Sequence, residues 1–204
     1  MTKLLHIIAS PRGADSKSNA LAHAYVADQQ ARTPDLEVDR LDLWTEDLPA
    51  FDGDPAAAKM TFFGVGQMDP AKQAVWDQVS DITRRFIAAD HIVIGVPMWN
   101  GGIPYRLKHY IDIITQPGLL FGFDPERGYF GLLEHKRATV ITTAGVWSQG
   151  ADPRYGADFQ GSYLQWWLET IGITDIKQVA YQPTLMTQDP QAGFDAALSQ
   201  LRAA

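Results

Sequence analysis

A polar turn near the N-terminus has the residue types and spacing of an anion-binding site. Residues 4–9 are an apolar run of strand length, and residues 10–19 form the polar turn that follows it. We expect a helix to begin at Ala20, with unpaired backbone N–H groups and the positive end of its dipole facing this turn. Three neutral donors and one positive charge lie beside that helix start: Ser16, Lys17, Ser18 and Asn19. The sequence therefore favours a phosphorylated cofactor at this position.

The turn matches neither of two familiar glycine motifs for phosphates. Gly13 and Lys17 fit no G-x-x-x-x-G-K-[ST] arrangement, which disfavours a P-loop. G-x-G-x-x-G is also missing, which disfavours a Rossmann-type dinucleotide fold. On this segment alone, a simple helix cap at Ser18 or Asn19 is an equally good interpretation.

Two further segments offer surfaces for a flat ring. Residues 97–104 carry a tryptophan beside a glycine pair, Gly101 and Gly102, whose backbone can approach a ligand closely. The alternative is a plain turn before a helix, with Trp99 plugging the core. Residues 142–147 form a third wall, in which Gly145 again permits close backbone contact.

All three segments follow strands of one predicted sheet. Strand-like runs cover residues 4–9, 38–43, 91–96, 138–143 and 176–181, and they alternate with helix-like runs at 20–32, 71–89, 105–115, 158–171 and 189–202. This alternation predicts one α/β domain over residues 1–204, with a parallel sheet covered by helices on both faces. Ligands of such sheets bind beyond the carboxyl ends of the strands, where these segments lie.

Two long irregular stretches interrupt the pattern. Residues 44–68 are rich in Gly, Pro, Asp and Phe and are long enough for a functional loop. Residues 118–133 have the aromatic and glycine spacing of a hairpin-like excursion. Within this excursion Phe121 and Phe123 either stack on flat substrates or plug the space under the hairpin, and the two interpretations have equal weight.

The composition excludes several classes of function. A net charge of -7 argues against a nucleic-acid partner, because such binding needs a basic face. The absence of cysteine excludes disulfides, thiolate metal sites and a cysteine nucleophile. No histidine is spaced with a carboxylate as metal ligands are, so we expect no metal site.

Residues 1–3 run directly into a short apolar strand, and no stretch approaches the ~20 apolar residues of a membrane span. We therefore expect a cytoplasmic protein.

The chain resembles the FMN-dependent NADH-azoreductases, a branch of the flavodoxin-like NAD(P)H:quinone oxidoreductases. The resemblance covers nearly the whole length and rests on five segments: Ser10 with Ser16-x-Ser18-Asn19, Val93-Ile94-Gly95-Val96-Pro97-Met98-Trp99-Asn100, Leu107-Lys108-x-Tyr110-x-Asp112, Val140-Ile141-Thr142-Thr143-x-Gly145 and Gly172-Ile173-Thr174-Asp175.

This resemblance implies a flavodoxin-like three-layer sandwich whose five-stranded parallel sheet has the order 2-1-3-4-5. It also implies bound FMN, NADH or NADPH as electron donor, and two-electron transfer to quinones or aromatic azo compounds by a ping-pong mechanism. The implied cofactor residues are Ser10, Arg12, Ser16, Lys17, Ser18, Pro97, Met98, Trp99, Asn100, Gly101, Thr143, Ala144, Gly145 and Val146. Asn100 would orient the flavin N5 through its backbone N–H, and the flavin itself would carry the chemistry.

The resemblance further implies a homodimer whose cofactor sites are bounded by both chains. Tyr163, Trp166 and Trp167 fall at i, i+3 and i+4 and form one aromatic stripe on a predicted helix. Core packing is the ordinary interpretation of such a stripe, and the family adds a dimer contact as the alternative.

The chain departs from the family at three positions. Trp99 stands where tyrosine is common, Gly101 where a bulky residue is common, and residues 143–146 where the family often has Ser-Arg-Gly-Gly. Two other functions therefore stay open: a flavodoxin-type electron carrier and a flavin-binding regulatory module without turnover. A hydrolase is disfavoured because no G-x-S-x-G nucleophile is present.

Overall fold

The computed structural model describes residues 2–203, and five of its seven strands form one parallel sheet. The strands are β1 (Lys3–Ile8), β2 (Glu37–Asp42), β3 (His91–Pro97), β4 (Phe121–Asp124), β5 (Gly128–Gly131), β6 (Arg137–Thr143) and β7 (Asp175–Tyr181). The sheet order is β2-β1-β3-β6-β7, which is the predicted order 2-1-3-4-5 once the two hairpin strands are left out of the count. The other two, β4 and β5, pair antiparallel as the predicted hairpin.

Six α-helices lie within residues 2–203, and five of them cover the two faces of this sheet. The six are α1 (Lys17–Arg32), α2 (Gly53–Thr61), α3 (Pro70–Ile87), α4 (Tyr105–Ile114), α5 (Gln160–Thr170) and α6 (Pro190–Arg202). The remaining helix, α2, packs against α3. The helices α1 and α6 pack on one face through an apolar layer that includes Leu21, Val93 and Leu201. Residues of α3, α4 and α5 pack on the other face around Ile94. The predicted three-layer sandwich is confirmed.

Every element that the structure describes belongs to this sandwich or to the hairpin attached to it. The hairpin is joined to the end of α5 by the backbone N–H of Leu133, which donates to the Ile171 carbonyl at 3.0 Å. The single domain over residues 1–204 stays a prediction, and residues 1 and 204 lie outside the described part. Between residues 2 and 203, no helix has both the length and the hydropathy needed to cross a membrane.

Most boundaries lie within two residues of the sequence-based expectation, but the start of α1 and the stretch at 44–68 differ from it more. The helix α1 begins at Lys17 instead of Ala20, because the hydroxyl of Ser16 caps it by accepting the Asn19 backbone N–H at 3.3 Å. The stretch at 44–68, expected to be a loop, contains α2. A run of three alanines at residues 56–58 favours this helix, since alanine has the highest helix propensity.

The predicted caps of two other helices are present. The Asp69 carboxylate accepts the Lys72 backbone N–H at 2.9 Å at the start of α3. Asp189 likewise accepts the Ala192 backbone N–H at 2.9 Å at the start of α6. In both helices proline occupies the first turn, where its missing N–H costs nothing.

Candidate functional site

The three segments singled out in the sequence meet at one edge of the sheet. The strands β1 and β3 are neighbours, with Ile8 opposite Gly95, and β3 and β6 are neighbours, with Pro97 opposite Thr143. The segments after β3 and β6 are joined directly, because the backbone N–H of Met98 donates to the Thr143 carbonyl at 2.7 Å. The edge therefore carries three segments side by side: the turn before α1 (residues 10–16), the segment 97–104, which we call the ring segment, and the third wall (residues 142–147).

The turn after β1 forms a cradle of hydroxyl groups at the start of α1. The hydroxyls of Ser16 and Ser18 lie 3.1 Å apart and hydrogen-bond each other. The Ser10 hydroxyl accepts the backbone N–H of the exposed residue Arg12 at 3.4 Å. Ser10 and Ser16 are each 3% exposed, whereas Ser18 is fully buried. Ser10 and Ser16 therefore keep a small accessible surface at the cradle, and the enclosed Ser18 hydroxyl hydrogen-bonds Ser16.

Asn19 has a different role from the one expected for it. Its side-chain amide nitrogen donates to the carbonyls of Ser10 and Gly13, each at 3.3 Å. The residue is only 2% exposed. Because both amide hydrogens are used inside the turn, Asn19 fixes the shape of the cradle. The expectation that it supplies a donor to a bound anion is wrong.

Two backbone amides at the start of α1 complete the cradle. Lys17 and Ser18 occupy the first two helical positions, whose N–H groups have no partner inside the helix. Across residues 2–203 neither N–H donates to another backbone or side-chain group. The exposed Lys17 side chain adds a positive charge beside them. Unpaired amides, hydroxyls and one lysine fit the phosphate group of FMN, which these residues would hold.

We predict that Ser16→Ala raises the Kd for FMN by about tenfold. The substitution removes both the N-cap, worth roughly 0.5–2 kcal/mol, and a hydroxyl of the cradle. Titration of the apoprotein with FMN, followed by flavin fluorescence, measures the effect. Ser199→Ala, on the exposed side of α6, is the matched control and should leave the Kd unchanged. An unchanged Kd in Ser16→Ala would remove Ser16 from the site.

The ring segment after β3 is a tight turn with Asn100 and Gly101 at its tip. Trp99 and Gly102 exchange two backbone hydrogen bonds of 2.9 Å. The φ angles of Asn100 and Gly101 are 51° and 82°, and positive φ at both central positions is typical of a type I′ turn. A Cβ at Gly101 would also lie 3.1 Å from the Ala157 carbonyl oxygen. Glycine therefore meets both a conformational and a steric requirement at this position.

The tip of this turn leaves two donors unused. The backbone N–H groups of Asn100 and Gly101 donate no hydrogen bond to any residue that the structure describes. Asn100 is exposed, so its N–H is accessible to a ligand that rests on the turn. The role of Asn100 in orienting the flavin N5 stays a prediction, and this geometry is compatible with it.

The third wall is held between the ring segment and the chain after β7. The carbonyls of Ala144 and Gly145 accept the backbone N–H groups of Thr184 and Leu185 at 2.8 and 2.9 Å. Val146 follows at the outer end and is 41% exposed. The predicted contact of residues 143–146 with one edge of the flavin is not tested by these bonds. They do make this wall rigid.

A cleft of about 510 Å³ opens beside the ring segment. Aromatic side chains form much of its wall, and one lysine and one aspartate lie at its other side. It is lined by Phe51, Trp99, Asn100, Ile103, Tyr105, Lys108, His109 and Asp112. The ammonium group of Lys108 pairs with Asp112 at 2.5 Å. This cleft has the size and the apolar walls of a small-molecule site.

The two phenylalanines of the hairpin differ in their surroundings. Phe121 is 6% exposed and lies 5.6 Å from the ammonium group of Lys59, in a packed position. Phe123 is 52% exposed and contacts Tyr129 of the same hairpin. Neither lines the cleft beside Trp99. The burial of Phe121 favours the packing alternative for that residue, whereas contact of Phe123 with substrate stays a prediction.

Two residues at this edge were missed in the sequence. Trp44 lies two residues after the end of β2, and its ring centre lies 5.7 Å from that of Trp99. Gln160 is fully buried, and its amide donates to the carbonyl of Val96, just before the ring segment, at 2.9 Å. The rule that ligands bind beyond strand ends applies to β2 as well, and would have pointed to Trp44. No sequence pattern indicates the contact of Gln160.

The most strongly shifted histidines lie away from this edge. Burial, with a smaller contribution from the neighbouring His23 and Arg40, lowers the pKa of His6 to about 3. Burial, with the nearby Arg137, lowers the pKa of His91 to about 3 as well. Both histidines lie inside strands of the sheet, so both are neutral structural groups at neutral pH.

The comparisons with known proteins agree with this geometry. The family model for the flavodoxin-like fold matches residues 2–204. An FMN-dependent NADH:quinone oxidoreductase of Ruegeria pomeroyi is 72% identical over 204 residues, which cover both chains completely. A second relative, from Pseudomonas syringae, is named FMN-dependent NADH:quinone oxidoreductase 2 and is 43% identical over 97% of this chain and 94% of its own.

Among solved structures, the azoreductase of Bacillus anthracis superposes with a TM-score of 0.88. The two chains are 25% identical, and the match covers 98% of this chain and 97% of that one. The chain therefore belongs to the flavodoxin-like family and, within it, to the FMN-dependent NADH:quinone oxidoreductases.

Proposed function

We propose that this protein transfers two electrons from NADH to quinones through bound FMN, with both substrates using one cleft in turn. One observation carries the proposal: the anion cradle and the Asn-Gly turn follow adjacent strands, β1 and β3. A mononucleotide whose phosphate lies at the first therefore has its ring system within reach of the second. The relatives that carry this activity in their names support the proposal.

The residues of the chain bind and orient the cofactor, and none of them needs to act as a nucleophile. When bound, FMN would supply the redox chemistry, which is the acceptance of a hydride and the transfer of two electrons. The unpaired N–H groups of Asn100 and Gly101 are placed to hydrogen-bond the ring. The walls at Trp99 and at residues 143–146 restrict water and fix the ring plane. Pro97 and Met98 connect the ring segment to the sheet.

The cleft of about 510 Å³ takes the donor and the acceptor one after the other. Its aromatic walls suit the nicotinamide ring of NADH and the flat ring of a quinone. Aromatic azo compounds are a second acceptor class, supported by the similarity to an azoreductase. Phe123 is the hairpin residue that we propose for contact with such acceptors.

Stopped-flow absorbance tests this function. Under anaerobic conditions NADH should bleach the visible flavin bands of the holoprotein, and a quinone added afterwards should restore them. Steady-state rates should give parallel double-reciprocal lines, as a ping-pong sequence requires. A holoprotein whose bands are bleached by neither NADH nor NADPH would contradict the proposal and favour the regulatory module. Bleaching far slower than turnover of known reductases would favour the electron carrier.

We also propose that the protein is a homodimer and works in the cytoplasm, where NADH is supplied. The aromatic stripe of α5 is divided in the structure: Trp167 is buried in the core, Tyr163 is partly buried and Trp166 is 59% exposed. Trp166 lines an apolar groove of about 420 Å³ together with Ile103, Tyr163 and the 66% exposed Phe159. A second copy that covers this groove would remove these aromatic surfaces from water.

Trp166→Glu is expected to shift the protein from dimer to monomer in sedimentation velocity. A carboxylate buried at an apolar interface costs several kcal/mol, which is comparable with the free energy of weak association. Gln200→Glu adds the same charge at an exposed position of α6 and should leave the dimer intact. A wild-type protein that sediments only as a monomer would contradict the dimer.

A further inference from the structure

Trp44 connects two of the three loops at the candidate site, although neither motif contains it. Its indole N–H donates to the carbonyl of Ala9 at 3.0 Å, and Ala9 directly precedes Ser10 of the anion cradle. The ring centre of Trp44 lies 5.7 Å from that of Trp99 in the ring segment, with the planes at 44°. One side chain thus contacts the cradle side through a hydrogen bond and the ring side through its face.

Three aromatic rings form a closed cluster around this contact. Tyr105, at the start of α4, packs edge-on against Trp44 at 5.5 Å and lies 6.1 Å from Trp99. Aromatic pairs at such separations stabilise each other beyond the area that they bury. Trp99 is 36% exposed and Tyr105 is 62% exposed, so neither is fixed by burial. The partly buried Trp44 is the inner member against which both rest.

The backbone around Trp44 is held firmly in place. Its own N–H donates to the Asp42 carboxylate at 3.0 Å. The guanidinium group of Arg106, in α4, donates to the carbonyls of Leu43 and Glu46 at 2.7 and 2.8 Å. Hydrogen bonds on both sides of Trp44 therefore attach this segment to β2 and to α4. This backbone places the indole as a support for its two more exposed neighbours in the aromatic cluster.

We propose that Trp44 is a positioning residue that sets the plane of Trp99 and thereby the fit of the flavin ring and the acceptor. This inference rests on the proposed function, since it concerns the same site. Trp44 does not line the cleft, so its effect on the ring passes through Trp99, and its effect on the cradle passes through the hydrogen bond to Ala9. Without the indole of Trp44, the side chain of Trp99 can adopt more rotamers. Binding of a ligand must then restrict these rotamers, which costs conformational entropy and weakens binding.

Two substitutions separate the parts of this role. Trp44→Phe keeps an aromatic face and loses the hydrogen bond to Ala9, whereas Trp44→Leu loses both. We expect the Kd for FMN to rise about threefold in Trp44→Phe and about tenfold in Trp44→Leu, as the loss of one hydrogen bond and one aromatic pair implies. The KM for a quinone should rise in parallel while kcat changes less than twofold. Trp76 lies in α3 and packs on Phe62, far from the three site segments in sequence. Trp76→Phe, which replaces this indole with a smaller ring, is the matched control.

A double-mutant cycle supplies a result that general destabilisation would not produce. In a Trp99→Leu background, Trp44→Leu should raise the Kd for FMN only about threefold, the part that comes from the hydrogen bond to Ala9, because the aromatic contact with Trp99 is already missing. Equal effects of Trp44→Leu in both backgrounds would overturn the proposal, as would a folded Trp44→Leu variant with wild-type Kd and KM. Far-UV circular dichroism of each apoprotein variant should match the wild type and thereby confirm folding. If the wild-type apoprotein binds no FMN, the proposed function fails before this inference is reached.

Discussion

Gly95→Val is expected to abolish retention of FMN. Gly95 lies in β3 on the face that supports α1, and a Cβ there would lie 2.9 Å from the Ser18 carbonyl oxygen and 3.1 Å from the Cβ of Ala22. The first contact is with backbone, which cannot rotate away as a side chain can. The start of α1 must therefore move away from the sheet, and the amides and hydroxyls of the cradle move with it.

The size of this effect follows from the cost of overpacking. Extra methyl groups in a packed interior cost about 1–3 kcal/mol, and here the displacement falls on the cradle itself. We expect the Kd for FMN to rise about 100-fold in Gly95→Val and about tenfold in Gly95→Ala, with a lower melting temperature in both. Gly53→Ala, at a position where a Cβ meets no atom within 4 Å, is the control. Purified Gly95→Val that carries stoichiometric FMN would show that the cradle does not depend on this close approach.

Acidification from pH 7 to pH 5 is expected to lower the free energy of unfolding by about 4 kcal/mol. His6 is fully buried, and neither of its ring nitrogens has a partner within residues 2–203. His91 is 1% exposed, with one nitrogen bonded to the Thr139 hydroxyl at 2.9 Å and the other unpartnered. Burial places the pKa of each at about 3, below the value of 6.5 for the unfolded chain.

The direction of this effect follows from proton binding in the two states. Below pH 6.5 the unfolded chain takes up a proton at each histidine, whereas the folded protein does not until about pH 3. The stability that the neutral histidines contribute is therefore complete above pH 6.5 and falls as the pH is lowered towards 3. At pH 5 the loss is about 2 kcal/mol for each histidine, at 1.36 kcal/mol per pH unit.

The ion pair between Asp39 and Arg85 does not contribute to the change in unfolding free energy between pH 7 and pH 5. The hydrogen bonds from Arg85 hold the pKa of Asp39 below its ordinary value of 3.8, so that pair stays ionised at pH 5. Urea denaturation of the FMN-saturated protein at pH 7, 6 and 5 measures the slope. His6→Leu should reduce the slope by about half, and His135→Gln, at a side chain that is 94% exposed, should leave it unchanged. A denaturation midpoint that does not move between pH 7 and pH 5 would mean that neither histidine is buried in the neutral form.

The sheet and the three loops could be predicted because short-range patterns determine them. The strand β3 is a nearly continuous apolar run, which only an inner strand buried on both faces requires. Prolines after Asp69 and Asp189 mark helix starts, and the structure has caps at both. The Asn100–Gly101 pair predicts a tight turn through backbone preference alone.

The remaining features depend on contacts between distant parts of the chain. Asn19 binds carbonyls nine and six residues away, so its function depends on how the turn folds back. The two phenylalanines of the hairpin are two residues apart and have the same chemistry, yet only Phe121 is buried, because Lys59 of α2 packs over it. That helix lies in a stretch that was expected to be a loop. The indole of Trp44 reaches Ala9 across 35 residues of sequence, which no local pattern records.

Titration of the apoprotein with FMN and with riboflavin tests most directly whether the start of α1 binds a phosphate group. The two ligands share the ring system and differ in the phosphate alone. In an acidic protein of net charge -7, tight binding of that dianion depends on the local amides, hydroxyls and lysine of the cradle. We predict that FMN binds at least about 100-fold more tightly than riboflavin, and that Ser16→Ala narrows this ratio. Equal affinities for the two ligands would contradict the assignment of the cradle as the phosphate site.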